Sequence, residues 1–120
     1  MNFTLQAFYE TRLPFPGLAA WAARQPDRAI LSQCMTNWLA PARVEQSLTR
    51  LVLAAESFQR QSIEPVRFSW LFEHVRIHLA LRQDGACLTL FVENRPELPA
   101  ATAESVLEDF LRLTDPATGA

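Results

Sequence analysis

The chain contains no lysine, and all eleven basic side chains among its 120 residues are arginines. Lysine forms the Schiff bases of covalent amine catalysis and contacts the phosphates in P-loop nucleotide sites, so both kinds of site are excluded. Glycine occurs three times, at Gly17, Gly85 and Gly119. These positions are too scattered to form a phosphate-binding loop. The sequence therefore predicts no cofactor bound in this way, and no other motif indicates one.

Cysteine is scarce, and long apolar runs and excess positive charge are missing. Cys34 and Cys87 fit no metal-binding or redox spacing. No stretch approaches the roughly 20 apolar residues of a membrane helix, and the N-terminus lacks the pattern of a signal peptide. The net charge of −2 leaves no basic surplus to displace counterions from nucleic acid. We expect a cytoplasmic protein that binds no nucleic acid and does not insert into membranes.

The remaining composition is that of one folded domain. Hydrophobic residues make up 49% of the chain and charged residues 20%, which is enough apolar surface for a core. We predict a single domain over residues 1–114, followed by a flexible tail over residues 115–120.

Hydrophobic periodicity predicts three helices, at Thr4–Leu13, at Ala42–Ser62 and from Pro99 to Leu113. The apolar stripe of the long central helix consists of Val44, Leu48, Leu51, Ala55 and Phe58, with Val52 on its flank. Leu53 points away from this stripe, among polar side chains. The last helix has a stripe of Ala103, Val106, Leu107, Phe110 and Leu111.

Two strands are predicted between the first and second helices, at Gly17–Arg24 and Arg28–Cys34. The turn Gln25-Pro26-Asp27 joins them. The alanines of the first strand favour helix by intrinsic propensity. We interpret them as the small side chains that a helix packed on this strand requires.

The stretch Pro65–Asn94 predicts an antiparallel three-stranded meander. A two-residue type I′ turn at Asp84-Gly85 pairs Leu81 with Leu88, Leu79 with Leu90, and Ile77 with Val92. A turn at Glu73-His74 pairs Phe72 with Val75, Trp70 with Ile77, and Phe68 with Leu79. Together the two registers place all of these residues on one apolar face. The other face holds Arg67, Ser69, Leu71, Arg76, His78, Ala80, Arg82, Thr89, Phe91 and Glu93, with Arg76 opposite Glu93.

No residue pattern predicts catalysis or metal binding. His74 and His78 are four strand residues apart, which is roughly 13 Å and too far for one zinc ion. The serines lack a nucleophile elbow. Glu45, Glu56 and Glu64 are interpreted as a solvated helix face, and Trp21, Trp38 and Trp70 as aromatic core rather than a ligand pocket. We therefore predict that the protein is not an enzyme.

The order of elements resembles the Roadblock/dynein light chain family, which is related to longin and profilin-like folds. Phe15–Ala20 resembles the Pro-Gly segment that leads into the family's first strand. Ala42–Ser62 resembles the family's long central helix. Pro65–Glu93 resembles its meander, with Gln83–Ala86 at the Asp-Gly hairpin and Cys87–Val92 at the apolar last strand. One departure is that Gln25-Pro26-Asp27-Arg28 stands, without glycine, where the family has an Asp-Gly turn.

The resemblance implies an α+β fold with a five-stranded antiparallel sheet of order 2-1-5-4-3. It places the central helix on one face of the sheet and the terminal helices on the other. This order separates Cys34 from Cys87 by two strands, too far for a disulfide, and leaves the strand Val66–Phe72 at an edge. Family members homodimerise through this strand and the central helix. The implied dimer or partner interface consists of Arg50, Leu53, Arg60, Arg67, Ser69 and Leu71.

The function implied by the resemblance is that of a non-enzymatic homodimeric module that regulates or scaffolds a small Ras-like GTPase. One alternative is a dimeric acidic secretion chaperone that binds an extended peptide of an effector. A small-molecule sensor with a tryptophan-lined pocket is a further alternative. An isolated long helix between the second and third strands favours the first hypothesis.

Overall fold

A computed structural model describes residues 3–60, 67–72, 74–82, 84–95, 97 and 100–113. The elements follow the predicted α-β-β-α-β-β-β-α order: α1 (Phe3–Arg12), β1 (Leu18–Arg24), β2 (Ile30–Cys34), α2 (Pro41–Arg60), β3 (Arg67–Leu71), β4 (Val75–Leu81), β5 (Cys87–Glu93) and α3 (Ala100–Arg112). Several predicted features lie outside the described residues: the end of the central helix at Ser62, the strand start at Val66, Glu73 of the first meander turn, Pro99, and the tail 115–120.

The five strands form one antiparallel sheet in the order β2-β1-β5-β4-β3. One apolar cluster joins α1 and α3 to one face of this sheet, and a second cluster joins α2 to the other face. The α+β class, the strand order and the placement of the helices are therefore confirmed. Cys34 and Cys87 are both free thiols on strands two positions apart, as the resemblance implied.

The alanines of β1 lie at the centre of the molecule. Ala20 and Ala22 are fully buried in the cluster under α2, and Ala23 is fully buried in the cluster under α1 and α3. Side chains of one carbon let helices approach both faces of the strand, so packing overrides the helical preference of alanine. The predicted strand is confirmed.

The first half of the meander has the predicted register. Phe68 pairs with Leu79 and Trp70 with Ile77, and the Phe72 amide donates to the Val75 carbonyl at 2.9 Å.

The second half of the meander differs from the prediction by one residue. Leu81 pairs with Cys87, Leu79 with Thr89, and Ile77 with Phe91. The connection is a three-residue loop, because the Arg82 amide donates to the Ala86 carbonyl and the Gly85 amide donates to the Arg82 carbonyl. Gly85 has φ +93° and Asp84 has no positive φ, so the turn is not type I′. The additional loop residue shifts the pairing between β4 and β5 by one residue along the whole length of the two strands.

This shift corrects the predicted faces. Leu88, Leu90 and Val92 lie under α1 and α3, whereas Phe91 lies under α2, so both faces of the central strands are apolar. Arg76 is opposite Val92, and Val75 rather than Arg76 is opposite Glu93. A one-residue slip moves every side chain of a strand to the other face, which is why a single wrong turn type reverses the assignment of β5.

The central helix α2 buries most of its predicted stripe, namely Val44, Leu48 and Ala55. Val52 is buried with them, and Leu51 is partly covered. Phe58 was predicted in the stripe but is 46% exposed. It follows Ala55 by three residues and lies on the flank that faces β3, where the helix leaves part of the sheet uncovered.

Candidate interaction surface

β3 forms one edge of the sheet, and β2 forms the other. Among the described strands, β3 has β4 as a neighbour on one side and none on the other. Because Phe72 is hydrogen-bonded to Val75, alternation in an antiparallel ladder turns the backbone groups of Phe68 and Trp70 towards β4. The N–H and C=O groups of Arg67, Ser69 and Leu71 therefore point outward and can pair with another strand.

An aromatic row runs beside this edge on the α2 face. The ring centroids of Phe58 and Phe68 are 6.0 Å apart, and those of Phe68 and Trp70 are 5.9 Å apart. Phe68 and Trp70 are half-buried, and Phe58 is exposed. The row therefore presents apolar surface next to the open backbone.

The position of α2 explains why this row is uncovered. Glu45 of α2 accepts a hydrogen bond from Ser32 of β2 at 2.7 Å, and Glu56 accepts one from Arg24 of β1 at 3.1 Å. These contacts hold the helix over the β2 and β1 side of the sheet. Glu45 and Glu56 were predicted to form a solvated face and instead anchor α2 to the sheet.

The predicted interface residues lie on two sides of the molecule. Arg50 and Leu53 are exposed on α2, with Leu53 59% exposed on the helix surface away from the sheet. Arg67, Ser69 and Leu71 alternate with Phe68 and Trp70, so their side chains lie on the opposite, α3-bearing face. Leu71 is 74% exposed. The side chain of Arg60 lies outside the described residues. Arg67, Ser69 and Leu71 belong to the edge strand and Arg50 and Leu53 to α2, so the described members of the predicted set do not form one flat patch.

On the α3 face, β3 is tied to its neighbours by polar contacts. Arg67 is 3.7 Å from the Glu108 carboxylate of α3, and Ser69 Oγ is 3.0 Å from His78 Nδ1. Burial lowers the pKa of His78, and the neighbouring Arg76 lowers it further. A neutral imidazole is therefore favoured in the folded protein.

A cleft opens between the first half of α2 and the connection from β3 to β4. Its volume is about 500 Å³. Buried Ile77 and Phe91 lie among its lining residues, and Arg43, Arg50 and half-exposed Phe72 stand at its sides. We call this space the α2–β4 cleft. The sequence prediction missed it, although the spacing of Arg43, Ser47 and Arg50 along one side of the helix was a usable signal.

The other titratable groups give no sign of a reactive site. Burial raises the pKa of the Cys87 thiol to about 12 and also raises that of Cys34. A protonated thiol is a poor nucleophile. Burial raises the pKa of Tyr9 as well. Within the described ranges, no group of three or more His, Cys, Asp or Glu side chains could hold a metal ion.

The tryptophans do not line a common pocket. Trp21 is buried under α1 and α3, and Trp70 packs on the α2 face. Trp38 is exposed. The sheet separates Trp21 from Trp70, so the three tryptophans do not share one pocket. The prediction that Trp38 is aromatic core is wrong, because its side chain is exposed and lines a separate cleft beside His74 and Glu93.

In the part of the chain that the structure describes, no helix combines the length and apolar character needed to cross a membrane.

This architecture defines the class of fold. A five-stranded antiparallel sheet of order 2-1-5-4-3, with one long helix on one face and the terminal helices on the other, is a Roadblock/longin-like fold. Among solved structures the chain is similar to MglB of Myxococcus xanthus, with a TM-score of 0.56. The two share 11% sequence identity over 88% of this chain and 87% of that chain. No protein-family model and no curated protein matches the sequence.

Proposed function

We propose that the protein is a non-enzymatic, homodimeric Roadblock-like interaction module that regulates or scaffolds a small Ras-like GTPase. The observation that carries this proposal is the open β3 edge beside an uncovered aromatic row, in a fold similar to that of MglB. The single long helix between the second and third strands, which favoured this hypothesis over a secretion chaperone, is present as α2.

Pairing of β3 with β3 of a second copy satisfies the outward backbone groups of both strands. Such an isologous contact closes on itself around a two-fold axis and removes an edge that would otherwise recruit other strands. The same rotation brings the α2 helix of the second copy towards the row of Phe58, Phe68 and Trp70, which then becomes buried. Arg50 and Leu53 border this surface on α2 and extend it towards a GTPase.

The dimer is tested by size-exclusion chromatography with light scattering. The wild-type protein is expected to be a dimer at micromolar concentration. Leu71→Pro should give a monomer, because proline removes an outward-pointing N–H without breaking the bonds to β4. Leu71→Thr is the matched control, since it removes apolar surface but keeps the N–H, and it should remain dimeric. A wild-type monomer would exclude the edge-strand interface.

The helix side of the interface is tested by Leu53→Asp. Because Leu53 is exposed, the fold should be retained, as checked by circular dichroism, while self-association weakens. Unchanged self-association would show that Leu53 lies outside the dimer contact.

Partner binding is tested with small Ras-like GTPases from the organism that encodes the chain, each loaded with GDP or with a non-hydrolysable GTP analogue. A stable complex in one nucleotide state is expected by gel filtration. Nucleotide hydrolysis and exchange rates, measured with and without the protein, separate regulation from scaffolding. If no Ras-like GTPase forms a complex in either state, the GTPase assignment fails, whether or not the dimer exists.

A further inference from the structure

The α2–β4 cleft has the size and lining of a small-molecule site. Its volume of about 500 Å³ falls within the roughly 300–1,000 Å³ of typical ligand pockets. Ile77, Phe91 and Val44 are almost completely buried and offer apolar contact at its base. Phe72 stands half exposed at one side. A ligand with an apolar body would cover these side chains.

Among the residues that the structure describes, the lining of the cleft includes two arginines and no acidic side chain. Arg43 and Arg50 are exposed and lie two helical turns apart on the side of α2 that faces the cleft. None of the described lining residues is acidic, and within the described part of the chain neither arginine forms an ion pair. Gln46 and Ser47 add neutral hydrogen-bonding groups between them.

Guanidinium groups bind carboxylates through two parallel charge-assisted hydrogen bonds. An anion at the rim would receive such bonds, and an apolar tail attached to it would enter the cleft. A fully polar anion would leave the aromatic and aliphatic side chains of the cleft exposed to water. An uncharged apolar molecule would form no charge-assisted hydrogen bonds with Arg43 and Arg50. A molecule that has both an anionic group and an apolar body therefore complements the lining residues of the cleft.

We propose that the α2–β4 cleft binds a small amphipathic carboxylate, with its carboxylate at Arg43 and Arg50 and its aliphatic or aromatic body against Ile77, Phe91 and Phe72. The cleft shares Arg50 with the surface proposed to extend towards a GTPase, but ligand binding to the cleft does not require a GTPase.

The experiment is isothermal titration calorimetry of the full chain with octanoate and with 1-octanol, which has the same chain length and no charge. Octanoate is expected to bind saturably with one site per chain, and 1-octanol at least about tenfold more weakly, since charged hydrogen bonds contribute about 1.5–3 kcal/mol. Arg43→Gln and Arg50→Gln should each weaken octanoate binding about tenfold. Arg112→Gln, which removes the same charge from exposed α3, should leave it unchanged.

A second variant tests the cleft itself. Ser47→Trp adds a bulky side chain at the lining and should abolish octanoate binding, while circular dichroism shows an intact fold. The proposal would be overturned if octanoate and 1-octanol bound with equal affinity. It would also be overturned if Arg43→Gln, Arg50→Gln and Arg112→Gln all bound octanoate with the same affinity.

Two other occupants give different results. If octanoate binds the monomeric Leu71→Pro variant but not the wild-type dimer, a second copy of the chain fills the cleft, and the proposal is wrong. If the protein sediments with phosphatidylserine vesicles but does not bind octanoate, the arginines contact a lipid surface, and the proposal is also wrong. Light scattering reports the dimer independently, so failure of the dimer and failure of the ligand site are distinguishable.

Discussion

At the scale of the residue, His78 is a buried imidazole at the junction of β4 and the edge strand. It is 7% exposed, and Ser69 of β3 contacts its Nδ1. Its Nε2 has no hydrogen-bond partner within the described part of the chain. Burial and Arg76 lower its pKa, whereas Glu104 acts in the opposite direction. The fold therefore favours the neutral ring.

His78 should make the stability of the protein depend on pH. Because its pKa is lower in the folded state, the unfolded chain binds more protons once the pH falls below the ordinary histidine pKa of about 6.5. The free energy of unfolding should therefore fall between about pH 7 and about pH 5, and fall less in His78→Asn. Urea denaturation at both pH values measures this difference.

The matched control is Gln46→Asn, which introduces the same side chain at an exposed position and changes no titratable group. It should retain the pH dependence of the wild type. The burial argument would be contradicted if Gln46→Asn and His78→Asn had the same effect.

At the scale of the element, the described residues of the loops that join β1 to β2 and β4 to β5 share one hydrogen-bond pattern. In the first, Gln25 donates to Ala29 and Arg28 donates to Gln25. In the second, the Asp84 carboxylate accepts from the Ala86 amide, as the Asp27 carboxylate does from Ala29. Arg28, at φ +74°, therefore occupies the position that Gly85 holds at φ +93°.

This equivalence predicts opposite effects of two substitutions. A side chain costs about 1–2 kcal/mol in the left-handed region, whereas glycine loses roughly 0.5–1 kcal/mol of chain entropy on folding. Arg28→Gly should thus stabilise the protein by about 0.5–1 kcal/mol, and Gly85→Ala should destabilise it by about 1 kcal/mol. Chemical denaturation measures both.

Steric contacts at Gly85 do not affect the comparison between Gly85→Ala and Arg28→Gly. A Cβ atom at Gly85 would meet nothing within 4 Å, so the loss in Gly85→Ala would come from the backbone alone. Gly85→Asn should cost less than Gly85→Ala, because asparagine tolerates positive φ better. Destabilisation by Arg28→Gly would show that the backbone at this position is not strained.

The sequence predicted the elements better than it predicted how they pair. Helical stripes and short apolar runs bounded by turn residues are local patterns, and they placed all eight elements. The register of β4 and β5 depended on whether one loop has two or three residues, and Asp-Gly is compatible with both. The faces of Thr89, Phe91 and Val92 followed from that single choice. Local sequence does not distinguish these loops, because the strands and helices around them decide which register buries more apolar surface.

At the scale of the whole molecule, the position of α2 on the sheet decides which part of the sheet remains exposed for contact with a partner. Contacts of Glu45 and Glu56 with Ser32 and Arg24 hold the helix over one side of the sheet. The other side retains the aromatic row, the open β3 edge and the α2–β4 cleft. The predicted interface residues Leu53 and Leu71 therefore flank this region on different faces, a separation that helical and strand periodicity alone did not reveal.

By itself, the sequence determined that the chain forms three helices and five strands, and that it has neither lysine nor a glycine-rich phosphate-binding loop. Periodicity is a property of neighbouring residues and can be read along the chain. The tertiary structure decided the β4–β5 register, the anchoring of α2 and the cleft beneath its first half. These features depend on contacts between residues far apart in the chain, whose geometry is fixed when the helices pack on the two faces of the sheet.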